Sequence, residues 1–300
     1  MKIPTESFES IYERYAAARN WMEELGIQIA PGRTSHYDRV LAKWSTGYKL
    51  ASLEAANEGF PDFVSAMHEV HDFISIHSAF QALPVVELQS ITAKLQRAVN
   101  GPIHTANETD KSNAPRNYLF EATMAALVHR PRSGLTTILD ADTDTACAIR
   151  GRKLWFECKR VSSPDRLEAN VRDASKQLER TLSKKIGASH RGIVALDVSK
   201  LLNKGDQIFV ANDDSQLTAA VDHLMDQFIE QHSAVWESVY RRRSPKVIGT
   251  IVRFAFMATS EERNLLVRAS QWGLNPRLGA AESDLYSLQE LKNVLADTLV

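Results

Sequence analysis

The chain has 300 residues, of which 44% are hydrophobic, and its formal net charge at pH 7 is -1. This length and composition allow one large hydrophobic core or two ordinary ones, and nothing in them indicates intrinsic disorder. The nearly neutral charge excludes a general attraction for polyanions. Any binding of nucleic acid must therefore come from a local concentration of lysine and arginine.

No apolar run in the sequence reaches the roughly 18 residues that suggest a membrane span, and the N-terminal stretch is acidic and amphipathic where a signal peptide would be apolar. We therefore expect a soluble, cytoplasmic protein that has no membrane contact. The only two cysteines are Cys147 and Cys158. Both lie in predicted strands, and we interpret them as small buried hydrophobic residues.

The first hundred residues are predicted to be helical. Phe8, Ile11, Tyr15 and Trp21 recur at helical spacing in the first segment. We interpret residues 1–105 as a helical domain, with recognition or dimerisation as its candidate role. The later helical segments are predicted over residues 36–57, over 61–80 with Pro61 at the start, and over 84–99.

Residues 101–117 are rich in turn-forming and polar side chains, so a domain boundary is predicted there and the second domain covers residues 106–300. A helix over 115–129 is followed by three short runs of strand-forming residues, which predict an antiparallel meander. The remaining segments are predicted as an amphipathic helix from Pro164 to Gly187, a strand at "GIVALDVS", a helix over 215–240, a strand over 246–259 and a C-terminal helix. Residues 260–280 fit helix and strand equally.

Glu157 and Lys159 lie two residues apart in the predicted strand "KLWFECKRV", so their side chains share one face. Ionisable groups among large apolar neighbours need a partner, a metal ion or the edge of a cleft to offset their desolvation. The spacing alone is weak evidence, because Glu290 and Lys292 show it in what is predicted to be an exposed helix. The large apolar neighbours of Glu157 and Lys159, and not the spacing of the two residues, are what indicates a functional site.

Further carboxylates are predicted to approach this pair. A hairpin that turns near residues 150–153 would bring Asp144 beside Glu157 and Lys159. Carboxylates on adjacent strands can share Mg²⁺, and the lysine would then lie near the attacking water or the developing phosphorane charge. Glu121 interrupts the apolar face of its helix, so it also needs a partner.

The order of these features resembles the core of the PD-(D/E)xK nuclease superfamily. The matching features are a helix that carries Glu121, a strand that begins at Asp144, a strand with Glu157 and Lys159, and a basic helix. The resemblance covers about residues 115–200. It implies a restriction-endonuclease-like fold, an α/β core whose mixed sheet is flanked by helices, preceded here by the all-α N-terminal domain.

The resemblance implies a nuclease that depends on Mg²⁺ or Mn²⁺ and hydrolyses phosphodiester bonds with a metal-activated water. It implies that Asp144, Glu157 and Glu121 are metal ligands, and that Lys159 orients the water or stabilises charge. Gln177 matches a glutamine that many relatives place near the site.

One position departs from the family pattern. Thr143 stands directly before Asp144, where the family pattern has proline. Many members of this divergent superfamily lack that proline, so the departure weakens the choice of residue more than the resemblance. Asp142 and Asp140 therefore stay open as alternatives to Asp144.

The local charge around these residues favours a phosphate-containing substrate. Lysine and arginine are concentrated between residues 150 and 191, where acids are fewer. We predict a nucleic-acid partner, with DNA favoured over RNA, and the protein is a candidate homodimer. For any single basic residue here, the simpler interpretation is a solvated helix face. The candidate nucleic-acid contacts are Lys153, Arg160, Arg172 and Lys176.

Two alternative functions stay open. The stretch "TILDADTDT" resembles the first motif of haloacid-dehalogenase-type phosphatases, with Asp140 as nucleophile, Asp142 as acid/base, and Asp213 and Asp214 as metal ligands. That family expects a helix after the nucleophile strand, whereas this sequence predicts a hairpin. The other alternative is a non-catalytic nucleic-acid-binding member of the nuclease fold, for which acids clustered near phosphate would be unfavourable.

Overall fold

A computed structural model describes residues 6–29, 31–47, 53–129, 134–139, 142–203, 207–262 and 264–296. In these residues the protein is mixed α/β, and a seven-stranded mixed sheet is flanked by helices. No described helix combines the length and the apolar character that crossing a membrane would require.

Helices form the N-terminal part of the chain, as predicted. The first helix begins after Ser7, whose hydroxyl accepts the N–H of Ser10 at 3.1 Å. The prediction that a helix starts at Pro61 is wrong, because Pro61 lies inside a 28-residue helix. A proline removes only one intrahelical hydrogen bond, and the rest of this long helix keeps its bonds. The helices are α1 (Phe8–Glu24), α2 (Arg33–Gly47), α3 (Leu53–Phe80), α4 (Gln89–Ala98) and α5 (Ala114–His129).

The predicted meander is present as three antiparallel strands. Arg150 and Gly151 form the turn between the second and third strands with φ values of 46° and 78°. Positive φ at both central residues is typical of a tight hairpin whose twist matches its strands. The strands are β1 (Thr136–Ile138), β2 (Thr145–Ile149) and β3 (Arg152–Arg160).

The rest of the sheet extends from β3. Helix α6 (Leu167–Ser183) leads to β4 (His190–Asp197), which pairs parallel with β3. The long strand β6 (Val247–Ser260) has β4 beside its first half and the short β5 (Ile208–Ala211) beside its last residues. The strand order is β1-β2-β3-β4-β6-β5, with β7 paired to β6.

Residues 260–280, for which helix and strand were equally compatible, contain β7 (Leu265–Pro276), which is antiparallel to β6. The predicted helix over 215–240 is divided into α8 (Asp214–Gln231) and α9 (Ser233–Arg241). The short α7 (Ser199–Leu202) and β5 were not predicted, because four residues are too few for a periodic pattern. The C-terminal helix is α10 (Glu282–Ala296).

Hydrophobic clusters cover both faces of the sheet. Helix α6 packs on one face of β3 and β4 together with α8 and α9, and α5 packs on the other face with α10. A further cluster joins α1–α5 and also contains Met257 of β6. The N-terminal helices therefore pack directly onto the sheet, and the domain boundary at residue 105 stays a prediction.

Candidate active site

The hairpin of β2 and β3 places Asp144 next to Glu157. Thr145 pairs with Phe156, and this register continued by one residue sets Asp144 opposite Glu157. Directly opposite residues of an antiparallel pair share one face of the sheet. Asp144 also accepts the backbone N–H of Cys158 through Oδ2 at 2.7 Å. This hydrogen bond holds the side chain of Asp144 against β3, next to Glu157.

Of the three aspartates that stayed open, the structure brings Asp144 to this point. Asp142 is exposed and forms an ion pair with Lys185, away from Glu157. Asp140 lies outside the described residues. Asp144 is therefore the better of the two described candidates.

Glu157 is buried, with 5% of its surface exposed. Its nearest described cation is Lys159, whose Nζ lies 3.8 Å from Oε2. Burial raises the pKa of Glu157 to about 8, with a further contribution from the charge of Asp144 and an opposing one from Lys159. This carboxylate is therefore short of positive charge.

Glu121 approaches the same group from α5. Its Oε2 lies 3.0 Å from Nζ of Lys94, and both side chains are largely buried. Burial and the charge of Asp144 raise the pKa of Glu121, while Lys94 opposes the rise. Since Asp144 acts on both glutamates, the three acids are one electrostatic unit, which we call the acidic cluster: Glu121, Asp144 and Glu157.

Sequence reasoning did not find Lys94. The residue lies on α4, 27 positions before Glu121, and α4 has the ordinary pattern of an amphipathic helix. A lysine on such a helix is normally a solvated residue. Only the packing of α4 against α5 brings its ammonium group to the acidic cluster.

The acidic cluster fits a hard divalent cation in ligand chemistry. Carboxylate oxygens are the ligands that Mg²⁺ prefers, and one or two protein carboxylates with water commonly suffice. In the described part of the chain, no group of three or more His, Cys, Asp and Glu side chains is placed to hold a metal ion. A cation held by all three acids would therefore need a change of side-chain conformation.

One predicted nucleic-acid contact does not fit the structure. Arg160 is buried and donates a hydrogen bond to Glu108, with which it forms an ion pair. Residues 159 and 160 point to opposite faces of β3, so the arginine faces the interior while Lys159 faces the site. Arg160 therefore has a structural partner, and its described position lends no support to its assignment as a nucleic-acid contact.

The other predicted contacts are on the surface. Lys153, Arg172 and Lys176 are exposed, which leaves them accessible to a polyanion. Gln177 is also exposed, on the side of α6 that faces solvent, whereas the adjacent Leu178 packs on β4. The described position of Gln177 therefore lends no support to its assignment to the site.

A second group of buried charges was also missed by the sequence analysis. Glu69 Oε1 accepts from Arg116 Nε at 2.7 Å, and Asp72 Oδ1 lies 2.6 Å from a nitrogen of Arg253 and of Arg268. We call these five residues the arginine–carboxylate network. The signal was available, because Glu69 and Asp72 lie among apolar residues of α3 just as Glu121 lies among those of α5.

The arrangement does not resemble that of a haloacid-dehalogenase-type site. The antiparallel β2 follows β1, where that family expects a helix. Asp213 caps α8 by accepting the N–H of Gln216 at 2.8 Å, and Asp214 accepts from Ser260 at 3.2 Å. Both aspartates thus have structural partners at the start of α8.

Comparisons with known proteins did not identify a family. No family model, no curated protein and no solved structure matches this chain.

Proposed function

We propose that the protein is a Mg²⁺-dependent nuclease of the PD-(D/E)xK type, with the acidic cluster and Lys159 as its active site. The observation that carries this proposal is the position of Asp144 opposite Glu157, with Lys159 two residues further along the same strand face. Buried acids whose pKa values are raised by burial and by a neighbouring carboxylate, as at Glu121 and Glu157, are typical of functional sites.

The order and pairing of the elements support the same proposal. Helix α5 is followed by the antiparallel strands β1–β3, then by α6, and then by β4, which is parallel to β3. This is the order of features on which the resemblance to the restriction-endonuclease-like fold depends. The carboxylates lie at the end of β2 and β3 that faces away from the hairpin turn.

The proposed roles follow from the positions of the side chains. Asp144 and Glu157 would hold the cation, with Glu121 completing its ligands, and the bound cation would supply an activated water and charge stabilisation. Glu157 is partly protonated near neutral pH, since burial raises its pKa to about 8. Cation binding would therefore displace a proton from its carboxyl group.

Lys159 has a different task from that of the acids. Its ammonium group lies 3.8 Å from Glu157, and its side chain is one-quarter exposed, so it can contact a bound phosphodiester. A fixed positive charge at that point would orient the water and stabilise charge that develops on phosphate. The exposed Lys153, Arg172 and Lys176 would attract the nucleic-acid backbone.

The direct test is an incubation of the purified protein with plasmid, linear duplex DNA, single-stranded DNA and RNA, each with Mg²⁺, Mn²⁺ or EDTA. We expect cleavage with the metals, with DNA preferred, and none with EDTA. Lys159→Ala should reduce cleavage by about 10²–10³ and leave nucleic-acid binding largely intact, because it removes only a charge needed in the transition state.

Lys292→Ala is the matched control, since Lys292 belongs to the same Glu-x-Lys spacing but lies on α10. It should leave cleavage unchanged. Unchanged cleavage by Lys159→Ala would reject the role of Lys159. An activity that Asp140→Asn destroys and Glu157→Gln preserves would instead favour the phosphatase alternative.

A further inference from the structure

Lys94 is the residue through which the N-terminal helices reach the acidic cluster. Its side chain is 14% exposed and that of Glu121 is 12% exposed, and their charged atoms are 3.0 Å apart. The charge of Lys94 also opposes the rise in the pKa of Glu157. The charge of Lys94 therefore acts on Glu157 as well as on its ion-pair partner Glu121.

The packing of α4 on α5 explains this position. Ile91, Leu95 and Ala98 of α4 are buried in the cluster that also contains Leu119 and Ala122 of α5. This apolar contact holds the polar residues of α4 beside those of α5.

Two polar pairs flank this contact. Lys94 pairs with Glu121, and Arg97 donates to the hydroxyl of Tyr118 at 2.6 Å. Arg97 is exposed, and its partner is a phenol hydroxyl, not a carboxylate. Lys94 is thus the member of α4 whose charge is committed to the acidic cluster.

Lys94 supplies one of the two lysine charges that oppose the three carboxylates of the acidic cluster. Three carboxylates face Lys159, whose Nζ is 3.8 Å from Glu157, and Lys94, whose Nζ is 3.0 Å from Glu121. A divalent cation at the acidic cluster would be attracted by the carboxylates and repelled by the nearby ammonium group of Lys94. The lysine and the cation therefore compete for Glu121.

We propose that Lys94 neutralises Glu121 while no metal is bound and yields this carboxylate to the divalent cation. Lys94 is then a positioning residue of the active site, and α4 is an integral part of that site. The inference rests on the proposed function only in assuming a cation at the acidic cluster. By linkage, an ion pair that must open on cation binding lowers the affinity for the cation.

The test measures cation affinity, not cleavage. Mn²⁺ is titrated into the full-length protein by calorimetry and by thermal shift, for the wild type, Lys94→Met and Lys94→Gln. Glutamine retains the ability to donate a hydrogen bond to Glu121, so it guards against a variant that fails to fold. We expect both variants to bind Mn²⁺ about five- to tenfold more tightly than the wild type.

Arg97→Met is the matched control, because it removes the other polar pair between α4 and α5 without changing the charge at the acidic cluster. It should leave the Mn²⁺ affinity unchanged. In a Glu121→Gln background, Lys94→Met should lose most of its effect, since the carboxylate for which Lys94 competes is gone. A purely structural role of Lys94 would produce neither result.

Unchanged or weaker Mn²⁺ binding by folded Lys94 variants would overturn the inference, as would a wild-type protein that binds no Mn²⁺. A separate cleavage assay distinguishes this failure from that of the proposed function. Tighter Mn²⁺ binding without any cleavage would support the role of Lys94 and reject the nuclease. Metal-dependent cleavage with unchanged Mn²⁺ affinity of the Lys94 variants would support the nuclease and reject the role of Lys94.

Discussion

The acidic cluster and the arginine–carboxylate network both contain buried carboxylates, but their charges are compensated in opposite ways. In the network, burial alone would raise the pKa of Asp72, yet Arg253 and Arg268 outweigh it and lower the pKa to about 2. Glu69 behaves alike, since Arg116 and Arg33 lower its pKa to about 2 against the effect of burial. The arginines therefore hold both carboxylates in the ionised form.

In the acidic cluster the same physical effects give the opposite result. Burial dominates at Glu157 and raises its pKa to about 8, because Asp144 and Glu121 add to the effect and the opposing charges of Lys159, at 3.8 Å, and Lys94 do not outweigh it. Burial of an acid therefore does not by itself indicate function. A buried acid that lacks enough positive charge, next to other acids, is the feature that indicates a site for a cation.

The largest expected effect comes from breaking the network. Asp72→Asn removes the carboxylate that pairs with the buried Arg253 and Arg268 and leaves Arg253 with Asp197 at 3.5 Å, which should lower the free energy of unfolding by about 3–5 kcal/mol. Urea unfolding at pH 7 measures the change. Asp173→Asn, at an exposed ion pair on α6, should change it by less than about 0.5 kcal/mol. If Asp72→Asn lowers the free energy of unfolding as little as the control does, the arginine–carboxylate network does not stabilise the fold.

For the acidic cluster we expect a loss of activity without a loss of stability. Glu157→Gln should reduce metal-dependent cleavage by about 10²–10³. Its free energy of unfolding at pH 8 without metal should be equal to or higher than that of the wild type, because it removes a poorly compensated buried charge. Urea unfolding and the cleavage assay are run on the same preparation. A destabilisation as large as that of Asp72→Asn would contradict the distinction between the two regions.

The two regions should also give opposite pH dependence. Between pH 4.5 and 8, native Glu157 holds a proton that the unfolded chain has released, so the free energy of unfolding should fall as pH rises. Below pH 4, unfolded Glu69 and Asp72 hold protons that the native carboxylates have released, so stability should fall as pH falls toward 2. His71, whose pKa burial lowers to about 4, adds to the loss below pH 6.5.

The pH effect is measured by urea unfolding of the wild type and Glu157→Gln from pH 3 to 9 in the presence of EDTA. Relative to the variant, the wild type should lose stability as pH rises from 4.5 to 8, whereas the acid-side decline due to Glu69, Asp72 and His71 should be common to both proteins. Mg²⁺ should reduce the decline in the wild type, since a bound cation replaces the proton. A variant and a wild type with the same slope above pH 5 would contradict the charge state inferred for Glu157.

The smallest effect is expected for Gln177→Ala. Gln177 is exposed on α6, so cleavage should change by no more than about twofold, equivalent to less than 0.5 kcal/mol. The rate of cleavage at saturating metal is the measurement. A loss of tenfold or more would show that Gln177 reaches the bound substrate, as the family resemblance implies.

Local patterns in the sequence were sufficient for much of the fold. Helical spacing identified α1 and α5, and the short strand-forming runs with turn residues between them identified β1–β3. The same patterns located Glu157 and Lys159 on one face and Asp144 at the start of the neighbouring strand. These features depend on residue periods of two or 3.6 and on a tight turn. A short stretch of sequence is therefore enough to predict them.

Local sequence patterns could not predict the features that depend on contacts between distant parts of the chain. Strand β7 exists because β6 offers it twelve residues of pairing, and Arg160 has its structural partner in Glu108, 52 positions earlier. Lys94 reaches the acidic cluster only through the packing of two helices. Whether a buried charge is compensated is a property of its surroundings in space, because Coulomb interactions depend on distance and burial and not on separation along the chain.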